Sequence, residues 1–513
     1  MQKSLERPAF GKWRNRLWPF HRHELKKIVP LILMKFFVSV VYCILLSLKD
    51  TITVTTPGSG AEVILVLKNF LVFPAAIFAA FCYSSLSNYV KKSTLFYITA
   101  SSFLLILFCY AFILSPNASL LSPQASADWL LSVVGEKNSY WISVYRNWFD
   151  SLFFVIAELW GSVMILVVFW GFANDITTVS EAKRSYTVYI AAGDLAAACV
   201  GPIVVWVSHK FSNYNYLYTV QCLTAFALLI GLGTIALYFY MQKYVLTDPR
   251  YQIQGQDQRS FPQKQKERLS FVQGIKHLIT SPYLLGISIL VIAYGLCISL
   301  VEISWKANLK IAYPNSADFQ AFTATCHSMV GIIAFFISAF FGSSMMRRFG
   351  WNLNAQLTPI IVGGAGVLFL LLCSNTALLN GWIAPLFGIS PLFVLIYSGA
   401  FHNVISKVAK YAFFDPTKEM TYIPLSDDEK VKGKAAIEVV GSRLGKSGAS
   451  NIQILIMNLA GTGSVLAISK LLLPIVTVAT VGWMYSVRSL SRKFTEKTDA
   501  QAKAISAKEP ATI

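Results

Sequence analysis

The sequence of 513 residues has few charged side chains: Asp, Glu, Lys and Arg make up 13% of it, against about 25% in soluble globular proteins. The shortage is uneven, because the run from Ser93 to Pro123 contains none of these four residue types. An apolar stretch of about 20 residues spans the hydrocarbon core of a bilayer as a helix. A soluble helix of this length would keep a polar face. The pattern predicts an integral membrane protein.

The sequence also lacks clustered metal and redox motifs. Its eight cysteines stand singly within apolar runs, without a Cys-x-x-Cys pair, and its six histidines are scattered. We therefore predict no metal site, no cofactor and no catalytic constellation, and we interpret the cysteines as small buried residues. No cleavable signal peptide is expected, because the first 29 residues are strongly basic and the apolar run after them is too long for a signal sequence.

The net charge of +19 would suit a nucleic-acid-binding protein, but the distribution of the basic residues argues otherwise. They concentrate at 3–27, 243–276 and 488–508. These segments flank apolar runs, where positive residues fix the topology and contact anionic lipid. We expect contact with the lipid bilayer and no nucleic-acid partner.

Twelve segments have the length and composition of membrane spans: 28–48, 62–90, 94–115, 146–174, 187–209, 216–241, 283–303, 320–346, 354–376, 384–412, 434–459 and 462–487. The positive-inside rule places both termini and the basic centre in the cytoplasm, which requires an even number of spans on each side of the centre. The predicted fold is an all-α membrane protein with twelve transmembrane helices in two six-helix pseudo-repeats, similar to major-facilitator transporters.

The same pattern divides the sequence into five parts. The predicted parts are a cytoplasmic N-terminal segment, an N-terminal six-helix bundle, a cytoplasmic linker, a C-terminal six-helix bundle and a cytoplasmic tail, at 1–27, 28–241, 242–282, 283–487 and 488–513.

Charged residues inside the predicted spans are the main functional signal, because a charge near the bilayer centre costs at least about 2.5–3.5 kcal/mol. They occur in both halves of the sequence, at Lys49, Asp50, Lys68, Glu158, Asp194, Glu302, Lys306, Glu438, Arg443 and Lys446. Glu302 and Lys306 are four residues apart, so they share a helix face and can pair.

The mixture of signs is what an anion transporter requires. Lys49, Lys446 and Arg443 offer positive charge to an anion, and Glu158 and Glu302 can pair with these cations when the site is empty. Several cations suit a substrate with several negative charges, such as a phosphate ester. The predicted substrate-binding residues are Lys49, Asp50, Glu158, Glu302, Arg443 and Lys446. The aromatic residues considered for stacking on a base are Tyr42, Trp148, Trp160 and Trp170.

The glycines around Lys446 resemble a nucleotide-binding P-loop, but the spacing is wrong. Gly441 and Gly445 are separated by three residues where a Walker A motif has four, and the string is followed by an apolar span. We exclude an ATPase loop. The small residues from Gly441 to Ala449 are interpreted as a face that permits close helix packing or close approach of a substrate.

Several long strings resemble the ATP/ADP translocase family, the nucleotide transporters of plastids and obligate intracellular bacteria. The strings are Lys49-Asp50-Thr51, Pro57 to Glu62, Glu158 to Ser162, Phe169 to Asn174, Leu300-Val301-Glu302, Phe414 to Pro424 and Gly441 to Gly448. The resemblance implies alternating access, with external ATP exchanged for internal ADP plus phosphate. It also implies functional charges at Lys49, Glu158, Glu302 and Lys446.

One departure from the family pattern bears on the substrate. The Arg-Asp that usually precedes Thr-Lys-Asp is replaced by Leu46-Ser47. We expect an ATP/ADP exchanger, a monomer in the inner membrane of an intracellular bacterium, with phosphate as a candidate co-substrate. The alternative is an importer of UTP, GTP, another nucleoside triphosphate or NAD, driven by protons that Glu158 or Glu302 would carry. A nucleotide-hydrolysing membrane enzyme is disfavoured, because its motifs are missing.

Overall fold

The computed structural model describes residues 20–177, 179–248, 251, 281–340, 342–425, 437 and 441–506, and within them the backbone is helical, without any strand. The long helices are α1 (Leu25–Thr55), α2 (Val63–Leu86), α3 (Lys92–Leu121), α4 (Trp148–Ile176), α5 (Arg184–Lys210), α6 (Tyr216–Val245), α7 (Pro282–Ala312), α8 (Ser316–Ile337), α9 (Gly350–Ser374), α10 (Pro391–Thr421), α11 (Ser442–Leu459) and α12 (Ser469–Asp499). The prediction of an all-α membrane protein is confirmed. Most of the predicted linker, 242–282, lies outside the described residues.

Helix α11 differs from the other long helices. Eleven helices in the described part of the chain are long and apolar enough to cross a membrane, and α11 is not among them. It carries Arg443, Lys446 and Asn451 within 18 residues, and its buried face includes Ser447, Ser450 and Gln453. The eleventh predicted span, 434–459, is therefore too polar to count as a membrane span by composition, because it faces the centre of the bundle.

The start of α10 also departs from the predicted span 384–412. The residues Ala384–Phe387 form a separate short helix that ends at Gly388, whose φ of 63° lies in the left-handed region. The chain is extended at Ser390, and Pro391 opens α10. Left-handed glycine after a helix and proline in the first turn are common boundary signals. Helix α10 consequently begins seven residues later than predicted and runs to Thr421.

The outer faces of the helices are apolar. Leu166, Leu229 and Val478 are 65%, 66% and 72% exposed. Such faces would be an aggregation liability in a soluble protein, whereas on membrane spans they lie against lipid. The cysteines follow both patterns, since Cys297 is buried and Cys199 is exposed, so the expectation of buried cysteines is only partly met.

The N-terminal half (α1–α6) and the C-terminal half (α7–α12) meet mainly along α5 and α8. Small residues allow this approach. A Cβ on Gly201 would lie 2.4 Å from the Ser328 side chain, and one on Gly331 would lie 2.6 Å from the backbone nitrogen of Ala198. Helix α1 also contacts α8, and α2 contacts α11. These contacts bring the predicted charged residues of the two halves together.

One end of the molecule, which we call the closed end, contains the C-terminus of α1, the start of α2 and the loop before α8. There the halves are joined by hydrogen bonds from Lys310 to the Ser59 carbonyl oxygen, between Thr55 and Ser316 (2.8 Å), from the Val465 N–H to Glu62 (3.0 Å) and between Asn69 and Asn451 (2.6 Å). Hydrogen bonds and ion pairs between described residues join the halves at this end, along α5 and α8, and at the level of the central charges.

Three helices widen into π-helical turns near the central charges. These turns are Leu67–Val72 in α2, Gly161–Phe169 in α4 and Lys410–Phe414 in α10. A π-helical turn is rare, contains more residues than an α-helical turn, and is frequent at functional sites. It changes the direction of the side chains beside it, here including those of Lys68 and Lys410.

Helices α7 and α11 are in close contact at Gly445. A Cβ on Gly445 would lie 2.5 Å from the carbonyl oxygen of Ile292 and 3.2 Å from the Cα atom of Gly295. A Cβ on Gly448 would meet nothing within 4 Å. The small face thus permits close helix packing at Gly445, while Gly448 borders open space.

We expect Gly445→Ala to destabilise the protein by about 1–3 kcal/mol, because its methyl group would clash with rigid backbone rather than with a movable side chain. The matched change Gly448→Ala should leave stability almost unchanged. Melting of the purified variants in detergent measures the difference. Equal melting temperatures for the two variants would contradict the close packing of α7 and α11.

Candidate substrate site between the helix bundles

Six charged side chains of alternating sign form a continuous series in the centre of the molecule, which we call the ion-pair chain. Its order is Glu158, Lys49, Asp50, Lys306, Glu302 and Lys68. The Lys49 Nζ atom lies 3.1 Å from Glu158 Oε1 and 2.7 Å from Asp50 Oδ1. With three lysines and three carboxylates, the chain is formally neutral.

The second half of the ion-pair chain crosses between the helix bundles. Lys306 Nζ lies 2.9 Å from Asp50 Oδ2 and 3.0 Å from Glu302 Oε1. Glu302 Oε2 in turn lies 3.3 Å from Lys68 Nζ. Asp50 and Lys68 belong to α1 and α2, whereas Glu302 and Lys306 belong to α7. Two of the five ion pairs therefore link the N-terminal half to the C-terminal half.

Helix geometry explains this order. Consecutive residues of an α-helix point about 100° apart, so Lys49 reaches toward α4 while its neighbour Asp50 reaches toward α7. Glu302 and Lys306 are one turn apart on the same face of α7, which allows them to pair. The three residues in the middle of the chain are the most buried, with Lys49, Asp50 and Lys306 only 2–3% exposed.

A second group of charges, which we call the cation cluster, lies on α10 and α11 and consists of Lys407, Lys410, Arg443 and Lys446. Arg443 donates a hydrogen bond to the Ser162 hydroxyl in the π-helical turn of α4. Lys446 is exposed, and its side-chain ammonium group has no hydrogen bond or ion pair with a described residue. Its electrostatic neighbours include Glu158 and Lys410, so it faces the centre of the bundle.

The two lysines of α10 complete the cation cluster. Among the described residues, Lys410 forms one ion pair, with Asp415 at 3.9 Å, a long distance for such a pair. Lys407 lies near Glu302 and Lys306 without an ion pair to a described residue. The cluster therefore has more positive charge than its carboxylate neighbours balance, in contrast to the neutral ion-pair chain.

The structure brings all six predicted substrate-binding residues into these two groups. Glu158 pairs with Lys49, as expected. Glu302 pairs with Lys306, as their spacing predicts, and also with Lys68. Among the described residues it forms no ion pair with Lys49, Lys446 or Arg443, the cations proposed as its partners in an empty site. Asp194 lies apart from the site on α5, near Lys35. Glu438 lies outside the described residues.

Sequence reasoning left four of the site's lysines out of the predicted set: Lys68, Lys306, Lys407 and Lys410. Lys68 and Lys306 are among the charges within the predicted spans. Lys407 and Lys410 interrupt an apolar segment, Val404 to Phe414, and the cost of a buried charge that selected the other residues would have selected them too.

Of the four aromatic residues considered for base stacking, the structure places Tyr42 at the site. Its ring would lie 2.7 Å from a Cβ on Gly161, and Glu158, Lys410 and Tyr411 are among its electrostatic neighbours. Trp160 is 1% exposed and donates its indole N–H to the Val38 carbonyl oxygen, so it packs within the bundle.

The other two tryptophans lie elsewhere. Trp148 donates to the Leu121 carbonyl oxygen near the closed end. Trp170 makes edge contacts with Tyr186 toward the opposite end of α4. Neither residue borders the ion-pair chain or the cation cluster.

Comparison with known proteins identifies the relatives of this chain. The family model described as TLC ATP/ADP transporter matches residues 3–494. ADP,ATP carrier protein 1 of Chlamydia trachomatis is 40% identical over 499 residues, covering 96% of this chain and 93% of the relative. The chloroplastic ADP,ATP carrier protein 2 of Arabidopsis thaliana is 37% identical, covering 92% of this chain and 75% of the relative.

Solved structures extend the comparison to the fold. The crystal structure of a D-xylose-proton symporter matches with a TM-score of 0.53 at 13% identity, covering 90% of this chain and 97% of that structure. The major-facilitator-like architecture predicted from the sequence is thereby confirmed at the level of the fold.

We expect Lys306→Met to destabilise the protein by about 3 kcal/mol or more, because it leaves the ion-pair chain with an unbalanced buried negative charge. The double variant Asp50→Asn with Lys306→Met restores neutrality and should recover most of the loss. The measurement is a double-mutant cycle of unfolding free energies in detergent.

Lys92→Met serves as the matched control for this cycle. Lys92 pairs with Asp175 at 2.7 Å, but its side chain is 82% exposed, so its removal should cost less than about 1 kcal/mol. A double variant no more stable than Lys306→Met alone would contradict the buried coupling between Asp50 and Lys306.

Proposed function

The chain belongs to the TLC ATP/ADP transporter family, and we propose that it exchanges ATP for ADP across a cell membrane by alternating access. The observation that carries the proposal is the separation of the central charges into a neutral ion-pair chain and a cation cluster with an excess of positive charge. The names of the relatives, ADP,ATP carrier proteins, point to the same substrates.

The cation cluster is suited to the phosphate chain of a nucleotide. Arg443 and Lys446 project from α11 one turn apart, and Lys410 approaches from α10. A guanidinium group binds two phosphate oxygens at once, and lysines add mobile positive charges. The open space beside Gly448 gives a phosphate chain room to approach. Lys49 follows as a phosphate ligand only when Glu158 releases it.

Tyr42 is the best-placed group for the nucleobase. It lies near both Glu158 and Lys410, so a base stacked on its ring would leave the phosphates close to the cation cluster. Aromatic stacking contributes about 1–3 kcal/mol per base and is tolerant of base identity. Discrimination between bases would then require polar contacts beyond the stacking itself.

The cross-half ion pairs account for exchange rather than one-way movement. When the closed end opens, Lys306 must separate from Asp50, and Lys68 must separate from Glu302. Separating buried ions costs several kcal/mol for each ion left without a partner. A bound phosphate chain offers the lysines a new partner, whereas an empty site does not. The protein would thus reorient readily only when loaded.

The proposed mechanism moves two bundles, 28–241 and 283–487, around the central site. With both termini and the linker 242–282 in the cytoplasm, the closed end faces outward. We place the protein in the inner membrane as a monomer that transports nucleotides without catalysing a reaction, with phosphate as a candidate co-substrate. The proton-driven alternative assigns the proton to Glu158 or Glu302, and each of these carboxylates has a lysine partner.

Exchange is tested by uptake of labelled ATP into vesicles loaded with ADP. We expect uptake to be strongly stimulated by internal ADP and competed by ADP more than by UTP, GTP or NAD. Glu302→Gln should weaken this dependence, because it removes the Lys68 ion pair, and efflux into substrate-free medium should rise. Glu136→Gln, an exposed change of the same type, should not. Uptake that is independent of internal nucleotide would contradict exchange.

Substitution of Lys446 tests the phosphate site. We expect Lys446→Gln to raise the KM for ATP about tenfold or more, the loss typical of one charge-assisted hydrogen bond. The insertion and melting temperature of the protein should not change, because Lys446 has no ion-pair partner among the described residues. Lys470→Gln, an exposed change at the start of α12, is the control. An unchanged KM for Lys446→Gln would remove this residue from the site.

A further inference from the structure

A small polar cavity lies near the closed end, between α1, the start of α2 and α4, and we call it the Asp150 pocket. It has room for about one water-sized particle. The polar residues that line it include Thr53, Thr56, Ser59, Asp150 and Ser151. The pocket belongs to the N-terminal half alone and is separate from both the ion-pair chain and the cation cluster.

Asp150 is the charged group of this pocket, and it is 8% exposed. Its Oδ1 atom accepts a hydrogen bond of 2.8 Å from the Tyr110 hydroxyl. Its Oδ2 atom has only a long contact of 3.4 Å with the Thr56 hydroxyl, which lies closer to the Ile52 carbonyl oxygen, at 2.6 Å. Among the described residues, Asp150 has no lysine or arginine in ion-pair distance. A buried carboxylate without a countercharge is costly.

The hydroxyl groups around Asp150 present mainly oxygen lone pairs to the pocket. Ser59 donates its proton to the Thr53 carbonyl oxygen, and Ser151 donates to the Val144 carbonyl oxygen. Thr53 is 4% exposed, and its own hydroxyl has no hydrogen-bond partner among the described residues. A buried polar atom without a partner usually indicates a missing ligand or water.

We propose that the Asp150 pocket binds a small monovalent cation, and we take sodium as its probe. Oxygen lone pairs from hydroxyls and a carboxylate are the ligands that hard cations prefer. The single carboxylate balances one positive charge, whereas a divalent ion is usually held by more than one acidic ligand or retains several waters. The pocket that Asp150 lines supplies the space that a cation requires and that a proton on the carboxylate would not.

The position of the pocket connects cation binding to the closed end. The carbonyl oxygen of Ser59 accepts a hydrogen bond from Lys310 of the other half, and Thr55, next to Thr56, bonds Ser316. A cation that holds Ser59 and Thr56 against Asp150 fixes the segment that makes these cross-half contacts. Occupancy of the pocket therefore stabilises the closed end.

The test measures melting of the purified full-length protein, without nucleotide, in sodium chloride and in choline chloride at equal ionic strength. We expect a saturable rise of the melting temperature with sodium, since a ligand that binds only the folded state stabilises it by mass action. Asp150→Asn should abolish the rise. Thr53→Val should shift its midpoint to about tenfold higher sodium, because one oxygen ligand is lost while the charge is kept.

Asp128→Asn is the matched control, since Asp128 pairs with Arg146 outside the pocket and should retain the full response. If Asp150→Asn does not fold, the proposal is tested by the dependence of the melting temperature on sodium in the wild type and in Thr53→Val. Equal melting temperatures in sodium and choline would overturn the proposal. A melting temperature that does not depend on sodium but changes between about pH 5 and pH 8 would also overturn it, because that result would indicate that Asp150 binds a proton. Because no nucleotide is present, these outcomes are independent of the exchange assay.

Discussion

The alternation of lysines and carboxylates from Glu158 to Lys68 is the interaction on which the rest of the molecule depends. Charges in the middle of a membrane protein are costly alone, and their separation is costly once they are paired. This chain of ion pairs is continuous from α4 through α1 and α7 to α2. It therefore fixes the relative positions of four helices that belong to both halves, and any movement of one half against the other must rearrange it.

The remaining central charges are arranged differently, and the contrast explains how one site can be both stable and responsive. Lys446 and Lys407 have no ion pair with a described residue, and Arg443 bonds a neutral hydroxyl. These cations are available to an anion without first breaking a pair. One π-helical turn contains Lys68 of the ion-pair chain, and another contains Lys410 of the cation cluster. The polar helix α11 packs close to α7 because Gly445 has no side chain.

The same reasoning about unpaired charge leads to the C-terminal end of α1, where the Asp150 pocket lies. Asp150 is buried, like Lys49, Asp50 and Lys306, yet its contacts are hydroxyl groups and not charged side chains of opposite sign. Where the central cations have excess positive charge, the Asp150 pocket has excess negative charge and a hydroxyl without a partner. Charge is left unbalanced in both of these places, and in both we propose a ligand: a phosphate chain at the cation cluster and a small cation in the Asp150 pocket.

The sequence by itself determined the membrane class, most of the helical spans and many of the charged residues that lie within them. Hydrophobic length and the cost of a buried charge are local properties, so Lys49, Glu158, Glu302 and Lys446 could be located within spans without a structure. Tertiary structure decided the pairing. Asp50 bonds Lys306 at a separation of 256 residues, and Lys68 bonds Glu302 at a separation of 234. Such partners depend on the rotation of each helix and on the packing of the two halves, which no local pattern encodes.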